Sequence, residues 1–416
     1  MRFLPLFLVL LAATATAQPR YGLVGDWPLT AEAGAENVLA AHRATVALED
    51  RYLPARLFGE HTVLRKAAGI GVRAARLVLL DHPLDYLGFL VQHEVFGHGA
   101  RYREFGWEQA GYRLSLPPPY ADGSGSASFV IPEGGRTRDE VIAAALHGAH
   151  ASAVLARRIE RNAVERGALH YREGLLYLRA GSDLLHYALT AEEQAFGPGG
   201  HDVLNWLQNV NRKAAFDGVE GTLTLRAVQS QALVGFLDPM LWFGAVAVVK
   251  TYLFEGETRL PVPMMRLGEA RYLPAMRFGW SPFGTEMILD QTLALDGRLL
   301  RLRLRRTIPT LYDGWGAGLD AANLLRRGPL ALDARLAVWD QPPLRLDPAD
   351  IGEDGALRVS GEGLGAAATA TAFLALPLGR LRSGLMLEVG YKSVGFVGGE
   401  RLGAGPIVRF GLTLSE

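Results

Sequence analysis

The chain has 416 residues, enough for two domains that each bury a core, and its 43 Lys plus Arg balance 43 Asp plus Glu. That balance leaves no basic field to recruit polynucleotides, so no nucleic-acid partner is expected. Cysteine is absent, which excludes disulfides, thiolate metal sites and cysteine nucleophiles; any metal must sit on His and carboxylates.

The chain opens with Met1-Arg2, an apolar run from Phe3 to Ala13, and Ala15-Thr16-Ala17. Charge, hydrophobic stretch and small-residue cleavage site in that order predict a secretory signal over 1–17, with a mature start near Gln18. The run is too short to span a bilayer and no acylatable cysteine follows it. An exported protein is expected, in the periplasm or outer membrane of a Gram-negative-type bacterium.

All ten histidines fall between His42 and His201, and near Asp217 to Gly221 the texture changes from helical periodicity to alternation. The sequence therefore predicts an α+β chain, with a mainly helical metal-site domain over 18–217 and an antiparallel β domain over 218–416. Helical periodicity marks Thr62 to Leu80, Leu84 to Phe105, Thr137 to Glu165, Glu173 to Ala195 and Val203 to Lys213. The Pro-, Gly- and Ser-rich stretch Pro117 to Gly135 is expected as a loop. Ala232 to Leu253 is very apolar, but Asp238-Pro239 interrupts it and Lys250 sits inside it, which predicts a buried, broken helix.

From about Arg271 onward the period is two. Leu300, Leu302 and Leu304 interleave with Arg301, Arg303 and Arg305, and Leu385, Leu387, Val389 and Tyr391 alternate in the same way. Leu330 to Val338 and Val408 to Leu414 repeat the pattern, and Gly-rich turns such as Leu378-Gly379-Arg380 separate the runs. About eight strands are expected. Strands of this length, after an export signal, suit an outer-membrane barrel, while one apolar face equally suits a soluble sheet packed on the helices. The final Leu414-Ser415-Glu416 lacks the terminal aromatic usual in outer-membrane barrels.

The strongest chemical signal is His93-Glu94-Val95-Phe96-Gly97-His98-Gly99, which continues the apolar-periodic run from Leu84 to Val91 and so belongs on a helix. In the common zinc motif the two histidines are four apart and share one face. Here they are five apart, which on an ideal helix rotates the second imidazole by roughly 140° from the first. One wide turn with i to i+5 bonding brings both back to the same side, and Gly97 lowers the cost of that distortion.

The hexapeptide resembles the H-E-x-x-G-H motif of dipeptidyl peptidase III-type zinc peptidases, over these seven residues alone. The resemblance implies Zn2+ held by His93 and His98, Glu94 as general base, and a carboxylate from a later helix as a further ligand. The family's second, acidic motif has no recognisable counterpart in this chain. From the residues themselves, the helix from Thr137 to Ile159 offers His150 as third ligand, with His147 and Glu140 as alternatives, although Thr137 and Glu140 also have capping-box spacing. Asp183, His186, His201 and Asp202 are candidates for supporting or substrate-binding roles. Arg101 and Arg103 follow His98 by one turn and suit either a substrate carboxylate or ion pairs. The expected function is an exported zinc metallohydrolase acting on a peptide or protein substrate; the alternative is a non-catalytic outer-membrane barrel or structural envelope protein.

Overall fold

The computed structural model describes residues 20–56, 62–130, 135–192, 201–346, 359–378 and 381–415. The secretory signal expected over 1–17 lies outside the described residues, as does the centre of the turn at Leu378-Gly379-Arg380.

Strand β1 (Arg20–Gly25) leads into helix α1 (Ala31–Tyr52), whose N-terminus is capped by the Thr30 hydroxyl. Periodicity does not single α1 out, because apolar residues lie all round it: Val38, Leu39 and Val46 are buried while Ala41, Ala44 and Leu48 face outward. Next comes one continuous helical run: α2 (Val63–Arg76), a wide π turn (Leu77–Asp81), α3 (His82–Leu90), a second π turn (Val91–His98) and α4 (Gly99–Glu104). The stretch expected as a loop contains a strand, because β2 (Glu108–Leu114) and β3 (Gly125–Val130) form a hairpin. Ala127 and Phe129 of β3 pack on Tyr102 and Trp107, an alternation that the surrounding Gly and Ser conceal.

Helix α5 (Arg138–Arg166) is the spine of the molecule. A Thr137–Glu140 capping box starts it and Gly167, in the left-handed conformation, ends it. Then follow β4 (Ala168–His170), α6 (Tyr171–Thr190), α7 (Asp202–Phe216), α8 (Leu225–Ala232), a 3-10 turn (Leu233–Leu237), α9 (Pro239–Val246) and a third π turn (Ala247–Phe254). The break between Leu237 and Pro239 is the expected one: Pro239 starts the new helix and the Asp238 carboxylate caps it. The expectation of burial is only half met, because one side of this segment is exposed.

The remaining strands are β5 (Arg259–Pro261), β6 (Met265–Leu267), β7 (Ala270–Ser281), β8 (Gly284–Leu295), β9 (Arg298–Thr307), β10 (Trp315–Arg327), β11 (Leu330–Leu344), β12 (Gly361–Leu378), β13 (Leu381–Lys392) and β14 (Gly405–Ser415). β5 pairs with β4; the others run as an antiparallel meander from β6 to β14, and β1 pairs with β14, so the sheet has ten strands rather than about eight. Two escape the alternation count: β6 has three residues, and β1 stands far from the other strands in sequence. Among the described residues β1 and β6 are not paired with each other, so the strands form an open sheet and not a closed barrel. The fold is α+β.

Helices and sheet share their interior. Leu155 and Leu176 cluster with Leu273 and Leu299. Trp206 of α7 stacks on Trp280 of β7 at 5.1 Å and donates its indole N–H to the Ser281 carbonyl. Within the helical layer a further tie is ionic: Arg172 of α6, fully buried, reaches Asp85, Asp81 and Glu49. Removing one partner of such a buried network costs about 3–5 kcal/mol.

The charged side chains of the sheet lie on its covered face and many of its apolar ones on the open face. Its covered face carries Glu286, Asp290, Arg301, Asp333, Glu388 and Arg409, paired with each other or with α1 and α5, as in Arg161–Asp333, Arg277–Glu160 and Arg335–Glu32. Its outer face carries Leu289, Leu302, Leu336, Leu387, Val408 and Leu412, all exposed.

Candidate metal centre

The five-residue spacing of the two histidines is accommodated as the sequence requires. Val91–His98 is a π turn, and it places His93 and His98 side by side with ring centroids 5.1 Å apart. Gln92 anchors this turn by donating to the carbonyls of Ala31 at 3.0 Å and Ala151 at 2.9 Å, which locks it between α1 and α5. α5 comes very close: a Cβ on Gly97 would stand 2.7 Å from the Gly148 Cα, and a Cβ on Gly148 would overlap both imidazole Nε2 atoms. Small residues at this crossing are therefore a steric requirement.

The third donor comes from α7. Asp202 Oδ2 lies 3.3 Å from His93 Nε2 and 3.1 Å from His98 Nε2. The three donor atoms lie within 4.8 Å of one another, and together His93, His98 and Asp202 could hold a metal ion. The far side of each ring is also engaged. His98 Nδ1–H donates to the Ala144 carbonyl at 2.7 Å, and His93 Nδ1–H donates to Asp183 at 2.9 Å, with the Ser152 hydroxyl at 3.3 Å. Both tautomers are thereby set, leaving the Nε2 lone pairs aimed at the Asp202 carboxylate. Lone pairs facing lone pairs need a cation between them, either protons on the rings or a bound metal.

The electrostatics reflect that need. Burial alone would lower the His93 pKa, but Asp183 and Asp202 hold it well above the ordinary value. Burial acts the same way on His98, where Asp202 again reverses it and raises the pKa. Asp202 itself is drawn far below the usual carboxylate range: its burial is outweighed by His98 and His93. Glu94 behaves oppositely. It is buried, and burial raises its pKa although His98 and His93 pull it down. The hairpin covers it, since a Cβ on Gly125 would stand 2.5 Å from Glu94 Oε1. Tyr187 stacks on His93 and Tyr102 on His98, walling the two rings.

Of the predicted site residues, the ligands His93 and His98 and the base Glu94 are brought together, and the predicted third ligand His150 is not with them. His150 turns to the sheet, where its Nε2 meets the Trp280 carbonyl and its ring packs against Phe396, and burial pushes its pKa down to about 3. His147 is also outside the donor cluster; it is buried, with its pKa held well below the usual value by burial and by Arg101. Glu140 is occupied by its cap, accepting from the Thr137 N–H at 2.7 Å. The reason is the crossing: α5 meets the π turn through Gly148 and Ser152, leaving no room there for a histidine. Arg101 pairs with Glu104 and the Glu400 carbonyl, and Arg103 donates to the Pro28 and Val95 carbonyls and to Tyr112, so both tie elements together. His186 is exposed, and His201 is the residue before α7, against Tyr187.

Asp202 was visible in the sequence only as one of several polar residues near His201. Its signal is positional, an acidic residue at the first turn of a helix, which is more often a helix-dipole partner than a ligand.

Comparison with protein-family models, with curated proteins and with solved structures finds no match.

Proposed function

We propose that this chain is an exported, zinc-dependent hydrolase, acting on peptide bonds, with His93, His98 and Asp202 as metal ligands and Glu94 as general base. The observation that carries the reading is the convergence of two Nε2 lone pairs and one carboxylate, with both Nδ1 atoms held by acceptors, beside a buried Glu. Two imidazoles and one carboxylate form a borderline-hard donor set suited to Zn2+, and three protein ligands leave a fourth position for water or substrate. A zinc ion there supplies a polarised water and a Lewis acid for the substrate carbonyl. Glu94, its pKa raised by burial, takes the proton of the attacking water and passes it to the leaving amine. Asp183 holds the His93 ring in its tautomer.

Elemental analysis of the purified full chain, with Glu94→Gln and His93→Ala beside it, tests this. The expected result is about one zinc per chain in wild type and Glu94→Gln, none in His93→Ala, and peptide-library cleavage by the wild type alone. Absence of bound zinc, with no uptake on adding it, would overturn the enzyme and favour a structural envelope protein.

A specific observation favours an outer-membrane location for the sheet: its exposed face is the apolar one. Outward charges gather at strand ends. At one end Arg306 and Asp340 stand with Trp315 at one register level, and Arg327 stands at the other. Between the two levels lie about ten residues of strand whose outward side chains are apolar, the length of a tilted membrane strand. Membrane fractionation tests it; extraction with soluble periplasmic proteins would sink it.

A further inference from the structure

We infer that the lipid-facing surface does not end at the sheet's β6–β7 edge but continues onto the broken helix Leu233–Phe254, whose outer side meets acyl chains. The inference rests on the outer-membrane reading of the sheet and extends it to a part of the molecule that is not β structure.

Three observations carry it. First, the segment is joined to that edge by its polar side. Asp238, at the break, accepts from Arg277 of β7 at 2.8 Å and from the Tyr177 hydroxyl of α6, and Arg277 in turn pairs with Asp290 of β8. The ionic layer beneath the sheet thus runs on beneath the helix. Second, the opposite side is apolar and open: Leu237 is 60% exposed and Trp242 58%, and Phe236, Val246, Val249 and Phe254 are exposed with them. Trp242, Val246 and Val249 fall on one helical face. Third, the outward charge on this stretch lies at its end, where Lys250 reaches Glu255 at 3.7 Å. That is the arrangement by which a long cationic side chain covers apolar surface and carries its ammonium to the polar boundary.

A soluble protein partner would demand a bounded apolar patch with a polar rim on the same surface. Here strands and helix alike turn their charges inward and their apolar side chains outward, so the exposed apolar surface is shared by both and is not bounded at the sheet edge. Among the described residues no single helix is long and apolar enough to cross a membrane, while Leu225–Leu237 and Pro239–Phe254, bent by 62°, satisfy length and composition together. The bend suits a segment lying along the sheet edge rather than crossing on its own.

The absence of cysteine allows single-site labelling of the full chain. An environment-sensitive nitrobenzoxadiazole dye is attached at Trp242→Cys or Val249→Cys on the helix, Leu387→Cys or Phe410→Cys on the sheet, and Asp313→Cys in an exposed turn. Each variant is reconstituted in phosphatidylcholine vesicles with and without bromine on the acyl chains, and its circular dichroism is compared with that of the unlabelled chain as a check on folding. Loss of emission in brominated vesicles is expected at the helix and sheet positions and not at 313. Quenching at 387 and 410 without quenching at 242 and 249 would overturn this inference and leave the sheet's membrane location standing. Quenching nowhere would overturn both, and quenching on the helix alone would overturn the continuous surface.

Discussion

Gly148 leaves no room for any side chain beside His93: a Cβ there would overlap the Nε2 atom that faces Asp202. Since His98 Nε2 is met by the same Cβ, one methyl group obstructs two ligands at once. Gly148→Ala should abolish or strongly weaken metal binding. Gly71→Ala, in α2, where a Cβ meets nothing within 4 Å, should keep the metal and stabilise the fold by about 0.5–1 kcal/mol. Titration of both variants with zinc reads the difference, and equal affinities would show that Gly148 is not confined by the ligands.

Asp202, and not the expected His150, stands beside His93 and His98. Asp202→Asn should lose the metal. His150→Ala should retain it and lose stability, because the buried Trp280 carbonyl is left without its imidazole partner, at about 1–3 kcal/mol. Metal content with thermal denaturation of each variant decides; zinc lost from His150→Ala in a still-folded protein would return the third ligand to α5.

Asp183 acts through His93. Its carboxylate accepts the Nδ1 proton at 2.9 Å, so Asp183→Asn leaves every ligand in place but loosens the ring's tautomer and orientation. Zinc affinity should fall about 10–100-fold, with the fold intact by circular dichroism. Unchanged affinity would make that hydrogen bond incidental to the metal.

A pH effect is expected away from the centre. Burial raises the Asp81 pKa to about 6, Arg172 and Arg76 only partly opposing it and Glu49 adding repulsion. A carboxyl raised in the folded state contributes stability that is complete below its unfolded value, near 4, and is lost as pH rises through about 6. Between pH 7 and pH 5, then, this group favours the fold on acidification. Asp81→Asn should remove that component from the wild-type curve of melting temperature against pH; parallel curves for the two proteins would rule it out.

What the sequence determines by itself is local. The five-residue step from His93 to His98 demands a wide turn, and the structure places a π turn over Val91–His98, because helix rotation is fixed per residue whatever surrounds it. Asp238-Pro239 breaks a helix for equally local reasons, and the alternation from Arg271 onward specifies strands. What only tertiary structure decides are the relations between distant segments. Alternation states that one strand face is apolar, yet the side on which α1 and α5 lie makes the charged face the inner one. β1 joins β14 from the other end of the chain. The third donor follows the same logic: His147 and His150 have favourable spacing on α5, but the close crossing at Gly97 and Gly148 excludes them and admits Asp202. Helical and strand periods are set by backbone geometry, whereas a ligand set is set by which surfaces meet, and that depends on packing that no single segment encodes.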